Sequence, residues 1–182
     1  GGKPYAGIGR ATVRDSISAA LQKGMVFEGT LLDNVRMGDP DASEEAVRNV
    51  LDIAQMTDFV ESHKEGLDYR LAQAGANISG GQKQRISIAR TILKPASVYV
   101  FDDSFSALDY LTESKLRKAL NRYLAGKTQI IITQRAATAM RCDHIFVIEQ
   151  GSIVGSGTHA ELLRTCTVYR EIVRSQLGGD AA

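Results

Sequence analysis

The sequence predicts an α/β fold in which a parallel sheet carries an inserted helical subdomain. Three short apolar runs, at residues 17–21, 98–101 and 129–133, each end abruptly in polar residues, as buried strands do at a sheet edge. Residues 98–101 and 130–132 are continuously apolar rather than alternating, which predicts strands covered by helices on both faces. Between the first and second runs, residues 23–94 show almost only helical and loop-like patterns, so the helical subdomain is expected there.

Helices are predicted from the spacing of apolar residues and from end signals. They are expected at residues 43–54, 57–63, 80–93 and 112–124. Residues 144–154 predict a β-hairpin that turns at Gln150-Gly151. Thr158 and Glu161 have the spacing of a capping box, which predicts that a last helix begins there.

Composition excludes several functional classes. The 182 residues suffice for one ordinary domain, and 22 Lys and Arg nearly balance 21 Asp and Glu, so nucleic acid is not the expected partner. No window approaches the roughly 18 apolar residues of a membrane-spanning helix. Cys142 and Cys166 lack the spacing of a zinc site, which predicts reduced thiols and a cytosolic setting. The histidines, expected in packing or on the surface rather than on a metal, are His63, His144 and His159.

Polar residues follow each of the three predicted strands. Ligands of open parallel sheets bind beyond the carboxyl ends of the strands, so we expect Gln22, Asp102 and Gln134 around one cleft. A buried strand that ends in Asp102-Asp103 is also the pattern in which one carboxylate holds Mg²⁺ beside a nucleotide phosphate. Taken alone, a turn after a buried strand explains these two aspartates about as well, because Asp is a common turn residue.

A second candidate site lies where the helix predicted at residues 80–93 begins. Ser79, Gly80, Gly81 and Gln82 stand at its start. The first amides of a helix lack partners and attract anions, and glycine permits a ligand to approach closely. A simple N-cap by Ser79 is the plainer explanation. A cap needs neither two glycines nor a glutamine, however, and we favour an anion site.

These residues resemble those of a known family. Residues 78–85 are similar to the signature motif of ABC transporters, with Ile78 where leucine is usual. The other motifs occur in the family's order: a Q-loop at Gln22, the stretch that follows it in exporters at residues 26–35, a Walker B strand at residues 98–102, and a D-loop at residues 106–109. The resemblance covers nearly the whole chain and implies an ABC-type P-loop NTPase core.

The resemblance also implies partners and site residues. ABC domains of this kind lie on the cytoplasmic face of a membrane, work with a transmembrane domain, and dimerise head to tail with an identical or different copy. Each ATP then lies between the Walker motifs of one copy and the signature of the other. The implied residues are Gln22 and Asp102 for Mg²⁺, Asp103 and Gln134 for catalysis, Gln22, Asp102 and Asp109 for ATP contact, and Ser79, Gly80, Gly81 and Gln82 for the ATP of the partner.

The chain departs from the family at the phosphate-binding loop. No G-x-x-x-x-G-K-[ST] motif occurs, and its place would be upstream of residue 1. Residues 7–10 do not replace it, because they lack the Lys-Ser/Thr pair and no strand precedes them; a loop is expected there. We therefore expect the first strands and the P-loop to be missing. The chain would consist of a remnant of the ATPase core at residues 1–22, the helical subdomain at 23–94, and the rest of the core at 95–182.

Further departures concern hydrolysis and coupling. Asp103 stands where the family usually has the glutamate that polarises water, and its shorter side chain predicts a poor base. Gln134 stands where the family usually has a histidine at the γ-phosphate, and an amide cannot carry its charge. Residues 72–75 lack the acidic residue that exporters usually place before the signature.

Together these changes resemble the degenerate half of a heterodimeric exporter. Such a half lends an intact signature to its partner's competent site and hydrolyses its own ATP slowly. One alternative is a regulatory module that binds nucleotide to stabilise a dimer and never turns over. An importer ATPase also stays open. A chromosome-organising ATPase would predict long heptad coiled coils and a basic surface, and the sequence has neither.

Overall fold

The computed structural model describes residues 7–178, and the chain divides between Ile132 and Thr133 into two units. The first unit contains, in order, α1 (Arg10–Ser16), β1 (Ile17–Ala20), β2 (Gly29–Thr30), α2 (Leu31–Arg36), α3 (Glu44–Ile53), α4 (Thr57–Ser62), β3 (Arg70–Leu71), α5 (Gly80–Leu93), β4 (Val98–Asp102), α6 (Tyr110–Tyr123) and β5 (Thr128–Ile132). Short 3-10 turns at Gly66–Asp68 and Gln73–Gly75 flank β3. The second unit contains α7 (Ala136–Ala139), β6 (Ile145–Glu149), β7 (Ser152–Gly157), α8 (His159–Thr165) and α9 (Thr167–Leu177). No helix among residues 7–178 has the length and apolar character to cross a bilayer.

The three strands predicted for the core form one parallel sheet in the order β1-β4-β5. Ala20 pairs with Phe101, and Asp102 pairs with Ile132, so the carboxyl ends of all three strands lie at the same edge. The predicted α/β class and parallel sheet are therefore confirmed. In the described part of this sheet β4 is central, while β1 and β5 each pair along one side.

Within the described part of the first unit, helices do not cover both faces of these strands as predicted. Burial alternates along β1, β4 and β5, and one face carries the buried side chains of Ala20, Tyr99 and Phe101. On the opposite face Ile130 is 48% exposed and Ile132 is 51% exposed. A continuous apolar run shows that a strand avoids polar side chains, but the covering of each face depends on which elements pack there.

Residues 23–94 are mostly helical, as predicted. Helix α5 is the centre of this region, because buried side chains occur around most of its circumference from residue 84 onward. Its neighbours α2 and α3 bury apolar side chains in the same core. Three predicted helices match α3, α4 and α5, and the fourth begins at Tyr110, two residues before its predicted start.

Four short elements of the first unit were not predicted. The two-residue strands β2 and β3 pair antiparallel and are too short to leave a periodic pattern. Helix α2 begins with a capping box of Thr30 and Asp33, a local signal that identifies it in retrospect. Helix α1 buries no residue, and the loop expected over residues 7–10 is shorter because Arg10 already begins α1. The Lys94 ammonium donates to two carbonyls near the end of α1, Arg14 O at 2.8 Å and Ile17 O at 2.9 Å.

The second unit confirms the predicted hairpin and the predicted helix start at Thr158, but that helix, α8, is not the last, because α9 follows it after a break at Cys166. Strands β6 and β7 pair antiparallel around Gln150 and Gly151, which both have positive φ, as a two-residue type I′ turn requires. Thr158 and Glu161 form the predicted capping box, and α8 begins there. The histidine rings contact aromatic neighbours, as expected of packing residues, in the pairs His63 with Phe59 and Tyr69, His144 with Phe146, and His159 with Tyr169.

We predict that the two faces of the sheet differ in their contribution to stability. Phe101→Ala should lower the free energy of unfolding by about 3–5 kcal/mol, because it leaves a cavity at a fully buried site. Ile130→Thr, its control in the adjacent strand, keeps a β-branched residue at a half-exposed site and should change it by less than about 0.5 kcal/mol. Urea unfolding of both variants measures the difference. Equal losses would contradict the one-sided burial.

A second prediction concerns the cap of α2. Hydrogen bonds from the Thr30 hydroxyl and then from its backbone N–H lower the pKa of Asp33. The ionised carboxylate therefore contributes stability above the ordinary pKa of an aspartate, and this contribution is lost as the pH falls through the lowered value. The chain should exceed Asp33→Asn in stability at pH 6–7, and the difference should shrink below about pH 4.

Urea unfolding between pH 2.5 and pH 7 measures this cap. Asp41→Asn is the control, since it removes an exposed carboxylate outside the helices and changes the net charge equally. If the difference between the chain and Asp33→Asn does not vary with pH, or if Asp41→Asn shows the same variation, the cap is not its cause.

Candidate functional site

Two of the predicted site residues, Gln22 and Asp102, lie at the carboxyl edge of the parallel sheet. Asp102 ends β4 and is partly buried, and Gln22 lies two residues past β1 with an exposed side chain. The buried Ser104 hydroxyl donates to the carbonyl of Ala20 at 2.8 Å, which ties the ends of β1 and β4 together. The structure therefore brings these two residues to the same edge, and that they line one cleft stays a prediction.

Asp103 lies in the left-handed region, with φ of 44°. Its backbone is held on both sides: its N–H donates to Ile132 O at 2.9 Å, and its carbonyl accepts from the N–H and hydroxyl of Ser106 at 3.2 and 2.8 Å. Asp is several-fold enriched among the non-glycine residues that adopt this conformation, because its short polar side chain tolerates it. The backbone at Asp103 thus forms a turn after β4, as the plainer explanation of the two aspartates holds.

Gln134 belongs to the second unit, where it lies two residues past the end of β5 and is exposed. Its backbone carbonyl accepts a hydrogen bond from the Gln176 side chain at 2.8 Å, and the same side chain accepts from the N–H of Ala136. Within this unit α9 therefore fixes the backbone around Gln134. That Gln134 shares a cleft with Gln22 and Asp102 stays a prediction.

The start of α5 is built as a capping box. The Ser79 hydroxyl accepts from the N–H of Gln82 at 3.2 Å, and the Gln82 side chain accepts from the N–H of Ser79 at 2.7 Å. The plainer explanation of Ser79, an N-cap, therefore holds, and Gln82 completes that cap. A Cβ added at Gly80 would meet no atom within 4 Å, whereas one at Gly81 would lie 3.2 Å from the carbonyl oxygen of Ala107. Gly81 thus permits close packing, and Gly80 faces open space that a ligand can approach.

Asp109, predicted as an ATP contact, caps helix α6. Its carboxylate accepts from the N–H of Thr112 at 2.9 Å. Hydrogen bonds from the Thr112 hydroxyl and then from its backbone lower the pKa of Asp109, so the side chain stays ionised. The carboxylate is exposed, and a capping aspartate retains lone pairs for a second partner.

Arg90 is a residue of this region that sequence reasoning missed. Its guanidinium donates to Asn34 O at 2.7 Å, to Met25 O at 2.9 Å and to the Asn34 side chain at 3.2 Å, and it lies 5.4 Å from the centre of the Phe27 ring. Burial lowers the pKa of Arg90. These contacts hold the stretch after Gln22 against α5. They join residues up to 65 positions apart, so no local pattern signals them.

Few protein groups are available for a metal. Among residues 7–178 no three His, Cys, Asp or Glu side chains are grouped closely enough to form a metal centre. The oxygen donors predicted for Mg²⁺ at the sheet edge are those of Asp102 and Gln22. This small, hard donor set fits Mg²⁺, which takes one or two protein oxygens and completes its octahedron with water and substrate phosphate.

Comparisons with known proteins agree with this architecture. The family model of ABC transporters matches residues 2–106. An uncharacterised ABC transporter ATP-binding protein of Mycobacterium tuberculosis is 40% identical over 164 residues, which are 88% of this chain and 28% of that protein. A β-(1→2)glucan export ATP-binding/permease protein of Rhodopseudomonas palustris is 36% identical over 91% of this chain and 28% of its own length.

The fold is shared with a solved structure of the same family. A bacterial Atm1-family ABC exporter with ATP bound superposes with a TM-score of 0.92 at 30% sequence identity, over 100% of this chain and 32% of the exporter chain. The chain thus spans roughly a third of the length of the proteins it matches. The family match, the relatives and the common fold show that this chain belongs to the ABC transporter family, with the α/β fold of its ATP-binding domain.

Proposed function

We propose that this chain works as the ATP-binding domain of an ABC exporter, on the cytoplasmic face of the membrane. The observation that carries the proposal is the match over the whole chain to an exporter with ATP bound. In the assembled transporter the domain would couple ATP binding and hydrolysis to export through a transmembrane domain. It would dimerise with a second ATP-binding domain, identical or different.

Within that dimer the site residues would divide between two ATP molecules. Asp102 and Gln22 would hold Mg²⁺, which neutralises phosphate charge, and Asp109 would contact the nucleotide. Because Ser79 and Gln82 are engaged in the capping box, the amides of Gly80 and Gly81 at the start of α5 are the donors that would serve the partner's ATP. Residues 23–94 would act as the helical subdomain between the two parts of the ATPase core at residues 1–22 and 95–182.

We further propose that hydrolysis at this chain's own site is impaired. Asp103 occupies the position of the water-polarising glutamate, and its backbone is fixed by Ile132 and Ser106. A backbone held in this way cannot advance the shorter carboxylate toward the water, and a displacement of about 1 Å can cost on the order of 10²-fold in rate. Gln134 lacks the charge of the usual histidine. These two changes support the proposal that this chain is the degenerate half of a heterodimer. Residues 72–75 lack the usual acidic residue, which would weaken the coupling of the domain to the membrane domain.

We predict that the isolated chain binds Mg-ATP weakly. Asp102 and Gln22 can contact metal and water, but the chain contains no G-x-x-x-x-G-K-[ST] loop to supply the amides and lysine that neutralise the phosphates. Isothermal titration calorimetry measures the affinity, with Asp102→Ala as the control for heat that does not arise at the site. A micromolar Kd that Asp102→Ala abolishes would contradict the prediction.

We predict opposite sensitivities at two positions in the assembled transporter with a partner of consensus sequence. Ser79→Arg should lower total ATPase activity by about 10²-fold or more, because the bulky side chain obstructs the helix N-terminus that serves the competent site. Asp103→Asn should lower it by less than about twofold, because its own site contributes little turnover. Ser62→Arg is the matched control, an exposed serine of the same subdomain away from α5.

The restoring substitutions complete this experiment. Asp103→Glu with Gln134→His should raise hydrolysis at the impaired site, since the longer carboxylate reaches the water and the imidazole adds a donor to the γ-phosphate. A steep loss with Asp103→Asn and near-normal rates with Ser79→Arg would refute the degenerate half. If single-turnover hydrolysis is absent even from the assembled transporter, the regulatory module is favoured instead.

A further inference from the structure

The side chain of Gln84 connects three segments of the first unit. Gln84 lies one turn into α5 and is 6% exposed. Its amide nitrogen donates to the carbonyl of Gln22 at 2.8 Å, and its amide oxygen accepts from the N–H of Ala107 at 3.3 Å. One buried amide therefore joins α5 to the loop after β1 and to the loop that leads into α6.

The orientation of this amide follows from its two partners. A carbonyl oxygen only accepts and a backbone N–H only donates, so the nitrogen must face Gln22 and the oxygen must face Ala107. Glutamate at this position would retain the acceptor for Ala107 and lose the donor for Gln22. Methionine, which is similar in length, would lose both. The site thus demands an amide, rather than any side chain of that size.

The backbone around Gln84 is packed closely on both sides. A Cβ added at Gly24 would lie 2.7 Å from the carbonyl oxygen of Lys83 and 2.9 Å from the nitrogen of Gln84. A Cβ added at Gly81 would lie 3.2 Å from the carbonyl oxygen of Ala107. Both loops therefore rest directly on the first turns of α5. Their positions relative to the start of the helix are fixed where the Gln84 amide bonds to them.

We propose that Gln84 is a positioning residue that sets Gln22 and the Ala107–Asp109 loop relative to the N-terminus of α5. The inference rests on the proposed function, in which Gln22 contacts this chain's metal while Asp109 and the start of α5 contact nucleotide. In this arrangement Gln84 itself would contact neither the metal nor a nucleotide. It acts by keeping groups that serve two different ATP molecules in one rigid relation, through two hydrogen bonds from a single side chain.

The first test uses the chain alone and no nucleotide. Amide exchange followed by NMR should show that Gln84→Met lowers the protection of the Ala107 N–H by roughly tenfold, because a buried donor loses its partner. Gln84→Glu should leave the Ala107 N–H protected from exchange. Amide exchange around Gln22 should accelerate in both Gln84→Met and Gln84→Glu. Thr91→Val is the matched control, since it removes a buried hydroxyl of the same helix that donates within α5. A general loosening of α5 would accelerate exchange in all three variants alike, and that result would overturn the proposal. Unchanged exchange in both Gln84 variants would also overturn it.

The second test measures ATP hydrolysis by the assembled transporter. Gln84→Met should lower kcat by about tenfold with KM for ATP within about twofold, since it also releases the Ala107–Asp109 loop from the start of α5, which would serve the partner's competent site. Thr91→Val should retain both parameters. Unchanged kcat for Gln84→Met in an active transporter would overturn the positioning role. An inactive parent transporter would contradict the proposed function instead, and the exchange experiment would then still decide the role of Gln84.

Discussion

Burial of helix α5 is the constraint on which the rest of the first unit depends. Ile86, Ile88 and Ile92 are almost wholly buried, and each contributes about 2 kcal/mol by the usual measure of apolar burial. A helix buried on most sides must have its polar groups paired, and polar groups of α5 form hydrogen bonds with residues of neighbouring elements. The Thr91 carbonyl accepts from Ser18 of β1, and Arg90 donates to Asn34. These polar contacts hold β1 and α2 against the helix.

How much the sequence predicts depends on how local each cause is. The three strands follow from short apolar runs, helix α5 follows from the spacing of its apolar residues, and the capping box of Thr158 with Glu161 follows from spacing alone, so these predictions are confirmed. The exposure of Ile130 and the junction at Gln84 could not be predicted, because each depends on elements distant in the chain. In the candidate site, the common edge of Gln22 and Asp102 followed from the parallel sheet. The roles of the individual side chains did not.

Several residues that the resemblance assigns to ATP also stabilise the helix they begin. Ser79 and Gln82 cap α5, and Asp109 caps α6. A side chain committed to its own backbone is positioned accurately, but fewer of its hydrogen-bonding groups remain for a ligand. The phosphate-binding capacity of α5 would then come from main-chain amides at Gly80 and Gly81. Glycine is suited to these two positions because it has no side chain. This division explains why the motif combines two capping residues with two glycines.

The conformation of Asp103 links local stability to the proposed chemistry. The chain must turn sharply after β4 so that Ser104 can reach Ala20, and the residue at the turn adopts positive φ. Aspartate tolerates that conformation better than glutamate does, because only its shorter side chain interacts favourably with the nearby backbone. A glutamate here would therefore be retained for its reach toward a water molecule rather than for the fold. With hydrolysis at this site impaired, as we propose, aspartate would satisfy the turn at a lower cost in backbone strain.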